Sequence, residues 1–239
     1  MTHTELPDHS NDHEKVRRQF SANVSHELKT PLTGILGYAE MLSSGMARPE
    51  DTRRFIERIR CEAEQMIQLV DDIIMLSQLD ETERLPYTEP VDLGEVAVAV
   101  KEALTFKAQE HGVSLRLDAP ETLLKGNRSL LYDLLYNLLD NSVKYNRPGG
   151  SAQVIVSQHD GRTIIEVSDT GIGIPPKHQD RVLERFYRVD KSRSKKTGGT
   201  GLGLSIVKHI AAVHDGTVEL NSTPGKGTTV RVVFGHASA

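Results

Sequence analysis

The chain has no tryptophan, a single cysteine and few other aromatics, with five phenylalanines and six tyrosines in 239 residues. Aliphatic side chains must therefore fill most of any core. Lone Cys61 excludes an internal disulfide and fits a reducing compartment, with packing or a surface position as its expected role. No run approaches the ~18–20 consecutive apolar residues of a membrane-spanning helix. The polar stretch 1–12 lacks the charged, apolar and small-residue order of a secretion signal. A soluble, cytoplasmic chain is expected, meeting a membrane only through a segment outside it. One-sided charge is absent too: 29 basic and 33 acidic residues leave −4, which argues against direct nucleic-acid binding.

What is present is periodicity. Val16, Phe20, Val24, Leu28, Leu32, Ile35, Ala39 and Leu42 recur every three or four residues and predict one helix with a buried stripe. Gly45 and Pro49 punctuate its end. A second repeat runs through Ile56, Ile59, Ala63, Met66, Val70 and Ile73. Two such helices form an antiparallel hairpin but cannot cover their own apolar stripes. Pairing two copies gives a four-helix bundle, so a homodimer is expected. Pro86, Pro90 and several acids then mark a linker. Beyond it the pattern predicts helices over 93–110 and 129–145, two short helical segments, and strands at 113–117, 122–124, 153–157, 163–168, 217–221 and 228–234. The expected organisation is a flexible start at 1–12, helices at 13–80, a linker at 81–90, an α/β sandwich at 91–235 and a tail at 236–239.

Four segments carry chemistry. In Phe20-Ser-Ala-Asn-Val-Ser-His26-Glu27-Leu28-Lys29-Thr30-Pro31-Leu32, His26 lies two positions from both Val24 and Leu28, a rotation of ~200° that turns it off the stripe. A lone exposed histidine is usually just solvated. Pro31, however, removes the amide that the Glu27 carbonyl would bond, and bends the helix there. Such a bend beside an exposed histidine costs stability without helping packing, which favours a functional role. On the 129–145 helix, Asn137, Asn141, Lys144 and Tyr145 fall at i, i+4, i+7 and i+8 of an otherwise apolar cylinder. Buried amides need partners, so this face must meet something polar. Asp169-Thr-Gly171-Ile-Gly173 follows a strand, and Gly198-Gly199-Thr200-Gly201-Leu202-Gly203-Leu204 opens a helix whose amides favour phosphate. Taken alone, each glycine loop is a weak signal. It is not a P-loop, since no Lys-Ser/Thr pair follows the glycines.

Together, in this order and with Phe186-Tyr187-Arg188 between the two loops, these segments resemble the sensor histidine kinases of two-component signalling from about Phe20 to Phe234. The resemblance implies an α+β fold: a helical hairpin forming a dimeric four-helix bundle, followed by an α/β sandwich ATP-binding domain of the gyrase, chaperone and histidine kinase type. It implies that His26 is phosphorylated from ATP and passes the group to an Asp of a response regulator receiver domain. Glu27 would take the proton on the other imidazole nitrogen, and Thr30 would orient water to remove phosphate from that regulator. Asn141 would coordinate Mg²⁺ with Asn137 in support, Lys144 would touch phosphate and Tyr145 would pack near adenine. Asp169, with Gly171 and Gly173, would read the adenine amine. Thr200, Gly201, Leu202 and Gly203 would cradle phosphate, and Arg188 would handle the γ-phosphate. Lys191, Arg193, Lys195 and Lys196 would belong to a lid. The turn Val213-His214-Asp215-Gly216 departs from the family in carrying Asp where a second glycine is frequent. Two other classes fit parts of the pattern: an ATPase whose nucleotide closes a dimer, and a dimeric module that binds ATP only as a switch.

Overall fold

The spacing of three and four produces two long helices, α1 (His9–Ser43) and α2 (Pro49–Asp80). The computed structural model describes residues 9–80, 88–190 and 199–235, with side chains from Phe20 onward. α1 starts earlier than the apolar pattern suggests, so 9–12 of the expected flexible start are helical and 1–8 lie outside the described residues. Once a helix is nucleated, each further residue fixes one pair of dihedrals for one hydrogen bond, so it extends past its apolar stripe. Gly45 stops α1 at φ 71°, a conformation that costs glycine nothing. Pro49 opens α2 where its missing amide is harmless, and Glu50 and Asp51 complement the dipole in the first turn.

The chain divides into two compact units, Met1–Asp71 and Asp72–Ala239. In the first, α1 and α2 pack through Tyr38 and Phe55, whose ring centroids lie 5.3 Å apart, and Gly34 faces Glu62. Of the expected stripes, Leu28, Ile35, Ile59, Ala63, Met66 and Ile73 are half-buried within the single chain. Leu32, Ile56 and Val70 are exposed, whereas Pro31, Phe55 and Leu69, each one residue away, are buried. Each helix carries two adjacent apolar faces about 100° apart, and one chain can cover only one of them.

The second unit is built on sheets. β1 (Glu89–Asp92) begins in the last two residues of the expected linker and pairs antiparallel with β3 (Leu123–Gly126). The larger sheet has the order β2-β4-β5-β7-β6, from β2 (Ser114–Asp118), β4 (Ser151–His159), β5 (Arg162–Asp169), β6 (Gly216–Thr223) and β7 (Gly227–Phe234). β2 runs parallel to β4 and the other pairs are antiparallel. Alternation sends Val154, Val156, Ile165, Val167, Val232 and Phe234 to one buried face. The helices α3 (Leu93–Glu110), α4 (Arg128–Lys144) and α6 (Gly203–Val213) contact the sheet, with the short α5 (Pro176–Gln179) at β6. Asp92 caps α3 by accepting from the Gly94 amide at 2.9 Å, and Asn127 caps α4 from Leu130 at 3.1 Å.

His214, buried at the end of α6, joins layers. Its Nδ1 donates to the Ile210 carbonyl at 2.8 Å, and its Nε2 accepts from the Asn127 amide at 3.1 Å. That pair of bonds requires the neutral ring, and burial holds its pKa below the ordinary value. Asp215 follows at φ 55°, the left-handed conformation for which a glycine would be the easier residue.

Candidate functional site

On the hairpin, α1 continues through Pro31 and presents His26 with its side chain 79% exposed. Glu27 lies beside it, Nδ1 to Oε1 being 3.8 Å. This is an ion-pair separation rather than a hydrogen bond, as adjacent helix positions would suggest. The Thr30 hydroxyl donates to the His26 carbonyl at 3.2 Å and the Thr33 hydroxyl to that of Lys29 at 2.8 Å. His26, Lys29, Thr30 and Thr33 line one open hollow on the surface.

In the second unit, α4 is buried through Leu131, Leu134, Leu135, Leu138, Leu139 and Val143, and its polar residues are half-buried on the remaining face. The Asn137 amide nitrogen donates to the Asp133 carbonyl at 2.8 Å, which turns its oxygen toward α6. A Cβ on Gly203, the first residue of α6, would stand 2.7 Å from that oxygen and 3.7 Å from the Asn141 nitrogen. A side chain at Gly203 would have to displace the Asn137 amide, while the Asn141 amide lies at ordinary contact distance. Amide oxygens are hard ligands of the kind Mg²⁺ accepts beside substrate phosphates. Among the described residues no group of three or more His, Cys, Asp or Glu could hold a metal.

The Tyr145 hydroxyl borders Gly199, where a Cβ would come within 2.7 Å. Thr200 accepts from the Leu202 amide at 3.2 Å and donates to the Asp72 carboxylate at 2.7 Å. Gly201 takes φ 75°, and a side chain there would press on Phe186 and the Arg188 stem. The Phe186 amide donates to the Gly201 carbonyl at 2.9 Å. Arg188 therefore stands beside the second glycine loop. Gly198, Lys191, Arg193, Lys195 and Lys196 lie outside the described residues.

Asp169, at the end of β5, accepts from the Gly171 amide at 2.8 Å and the Thr228 amide at 3.2 Å. Burial raises its pKa, opposed by those two amides and the Ser142 hydroxyl. Gly227 approaches so closely that a Cβ would overlap the Asp169 carbonyl, and Gly173, at φ 67°, meets Thr223 in the same way. The loop is fixed from behind by residues the sequence alone did not single out. Ser222 accepts from the Ile174 amide at 2.7 Å, and the Gln179 amide donates to the carbonyls of Ile174 and Ser222 at 2.8 and 2.7 Å. Asp133 is pushed up to about 6 by burial and by the Asp72 charge.

Lys144 is placed differently from the simplest expectation. Its ammonium lies 3.2 Å from one carboxylate oxygen of Asp140, while Lys107 of α3 pairs with the other. Burial would raise the Asp140 carboxyl, but Lys144 and Lys107 outweigh it and hold the pKa below the usual range. Asp140 and Lys107 were invisible as site residues, although Asp140 directly precedes Asn141.

Comparison with known proteins agrees with both halves. Residues 16–82 match the family described as His Kinase A (phospho-acceptor) domain, and residues 126–237 match the histidine kinase-, DNA gyrase B-, and HSP90-like ATPase family. The sensor-like histidine kinase SenX3 of Mycobacterium bovis is 44% identical over 218 residues, 90% of this chain and 53% of SenX3. A solved mycobacterial sensor histidine kinase, MprB, is 30% identical with a TM-score of 0.55, covering 62% of this chain and 97% of that one. The histidine kinase ThkA, solved in complex with the response regulator TrrA, shares the fold at a TM-score of 0.74 and 19% identity, over 98% of this chain and 67% of that one. The chain spans about half the length of the curated relatives it matches. No helix among the described residues is long and apolar enough to cross a membrane. The chain belongs to the sensor histidine kinase family, as a helical hairpin followed by an α/β ATPase domain.

Proposed function

We propose that this chain is the ATP-dependent histidine kinase core of a longer, cytoplasm-facing sensor, acting as a homodimer through its hairpin. Mg·ATP binds the α/β unit, with Asn141 and Asn137 facing the metal, Asp169 reading the adenine amine and Arg188 beside the γ-phosphate. His26, with Glu27 taking its other ring proton, attacks the γ-phosphorus in line and ADP leaves. A response regulator then takes the phosphoryl group onto an Asp, as the partnership printed for ThkA suggests. The protein's contribution to this chemistry is positioning and neutralisation of charge, which phosphoryl transfer chiefly requires.

One observation carries the reading: the same chain holds an exposed His26 beside a carboxylate and a glycine loop pressed against the Asn137–Asn141 face. Incubation with Mg²⁺ and ATP labelled on the γ-phosphate tests it. Protein-bound label lost in acid and kept in alkali is the expected result. Free phosphate without labelled protein would instead mark a simple ATPase.

We also propose that Thr30 serves removal of phosphate from the regulator. Thr30→Ala is expected to slow dephosphorylation of the phosphorylated regulator severalfold more than autophosphorylation, since Thr30 bonds only its own helix. Equal loss of both activities would mark a structural threonine.

A further inference from the structure

Asp140 sits one residue before Asn141 and one turn before Lys144 on α4, and its side chain is only 13% exposed. Its two oxygens are divided between two helices: one pairs with Lys107 from α3, the other with Lys144 one turn along α4. Both lysines are themselves largely covered, so screening by salt is weak and the three charges act as one group of net +1. A lysine committed to a buried carboxylate cannot also meet a phosphate at full strength. Withdrawing it would leave that carboxylate facing the incoming anion, which is strongly disfavoured unless another cation remains. Lys107 is that cation.

We propose that Lys107 is a positioning residue of the nucleotide site: by keeping Asp140 paired, it lets Lys144 leave the carboxylate for a nucleotide phosphate. This rests on the reading of Lys144 as a phosphate contact. Asp140 is then a shared counter-ion that parks Lys144 beside the amide face while the site waits for nucleotide. It gives Lys144 up because α3 supplies a replacement. The binding of phosphate is thereby coupled to the packing of α3 on α4, through one carboxylate and without direct contact between Lys107 and the ligand.

The experiment measures affinity of the full chain for Mg·ATP and, as the phosphate-free control, for adenosine. Lys107→Met is expected to weaken ATP roughly three- to tenfold, within the range of coupling inside one charged network. Adenosine affinity should be unchanged, and Lys107→Arg should behave as wild type. In an Asp140→Asn background the same Lys107→Met change should have no further effect on ATP, because no carboxylate is left to strand. A loss that persists in that background, or that affects adenosine equally, would overturn the proposal by showing direct contact or a merely structural role. Lys144→Met separates the two levels. If it weakens ATP while Lys107→Met does not, the proposal alone falls; if it leaves ATP affinity untouched, the phosphate role of Lys144 falls with it.

Discussion

The two units solve opposite problems. The hairpin leaves His26 in the open and much of its apolar surface uncovered, with Leu36 55% and Ile67 62% exposed. The α/β unit encloses Leu131, Leu134, Leu135, Ile165 and Ile206 completely and holds Asp169 behind two backbone amides and a glycine backbone. A side chain that must receive a group from one partner and deliver it to another has to stay exposed. A pocket that must distinguish a base needs rigidity and partial dryness. One unit is therefore unfinished alone and the other complete.

The sharpest way to break this contrast is to remove the exposed group. His26→Gln is expected to abolish protein-bound phosphate entirely while leaving ATP affinity within twofold, because the variant changes nothing in the α/β unit; the check is label incorporation beside a nucleotide titration. The reverse experiment is Asn141→Ala, which should weaken Mg²⁺-dependent nucleotide binding by more than about tenfold and leave the hairpin's assembly intact. Wild-type affinity in that variant would remove Asn141 from the metal.

A smaller effect is expected on assembly. Polar replacement of Leu32 and Leu36 together should forfeit about 1.5–3 kcal/mol per side chain if a second copy buries them. Sedimentation should then show dissociation to single chains at concentrations where the parent is paired, with the melting of the α/β unit unmoved. Unchanged mass would assign those leucines to something other than a second copy.

Smallest is a pH effect confined to the complete unit. His214 is neutral in the fold with its pKa lowered by burial, so its contribution to stability is full above the unfolded value near 6.5 and lost as pH falls through the folded pKa. Protonating Nε2 deprives the Asn127 amide of its acceptor, a loss of about 1–3 kcal/mol. Thermal melts should be flat from pH 8 to 7 and fall below about 6, more steeply than in His214→Gln, whose side chain cannot ionise.

Much of this was legible because the signals are local. The apolar cylinder of α4 and the four polar residues on one of its faces follow from spacing alone, and α3 begins and ends where its pattern does. The Asp in the 213–216 turn proved to occupy a left-handed position, which explains why glycine suits it. What escaped was set by distance along the chain. β1 is a strand only because β3, more than thirty residues on, offers it hydrogen bonds, and Pro90 disguised it as linker. Ser222, Gln179 and Thr228 support the Asp169 loop from elements that the sequence keeps apart. Lys107 meets Asp140 across 33 positions, and no spacing rule reaches that far. On the hairpin the period was right, but Phe55 and Leu69 were not singled out; they are buried within the chain, while Ile56 and Val70 beside them are exposed. Periodicity finds an apolar helix face; it does not say which of two faces meets its own chain.

The backbone bond between Phe186 and Gly201 has a meaning for how such a protein can change over time. It ties together two positions fifteen apart in the sequence, so the ends of the intervening segment are already joined by the fold. For such a loop the cost of added length grows only with its logarithm, about 0.6 kcal/mol for each doubling. The number of residues between Asp190 and Gly199 can thus vary at small cost while Arg188 and Thr200, on either side, keep their places. Length there is free to drift, whereas the turn around Asp169, pressed on by the Gly173 and Gly227 backbones, is not.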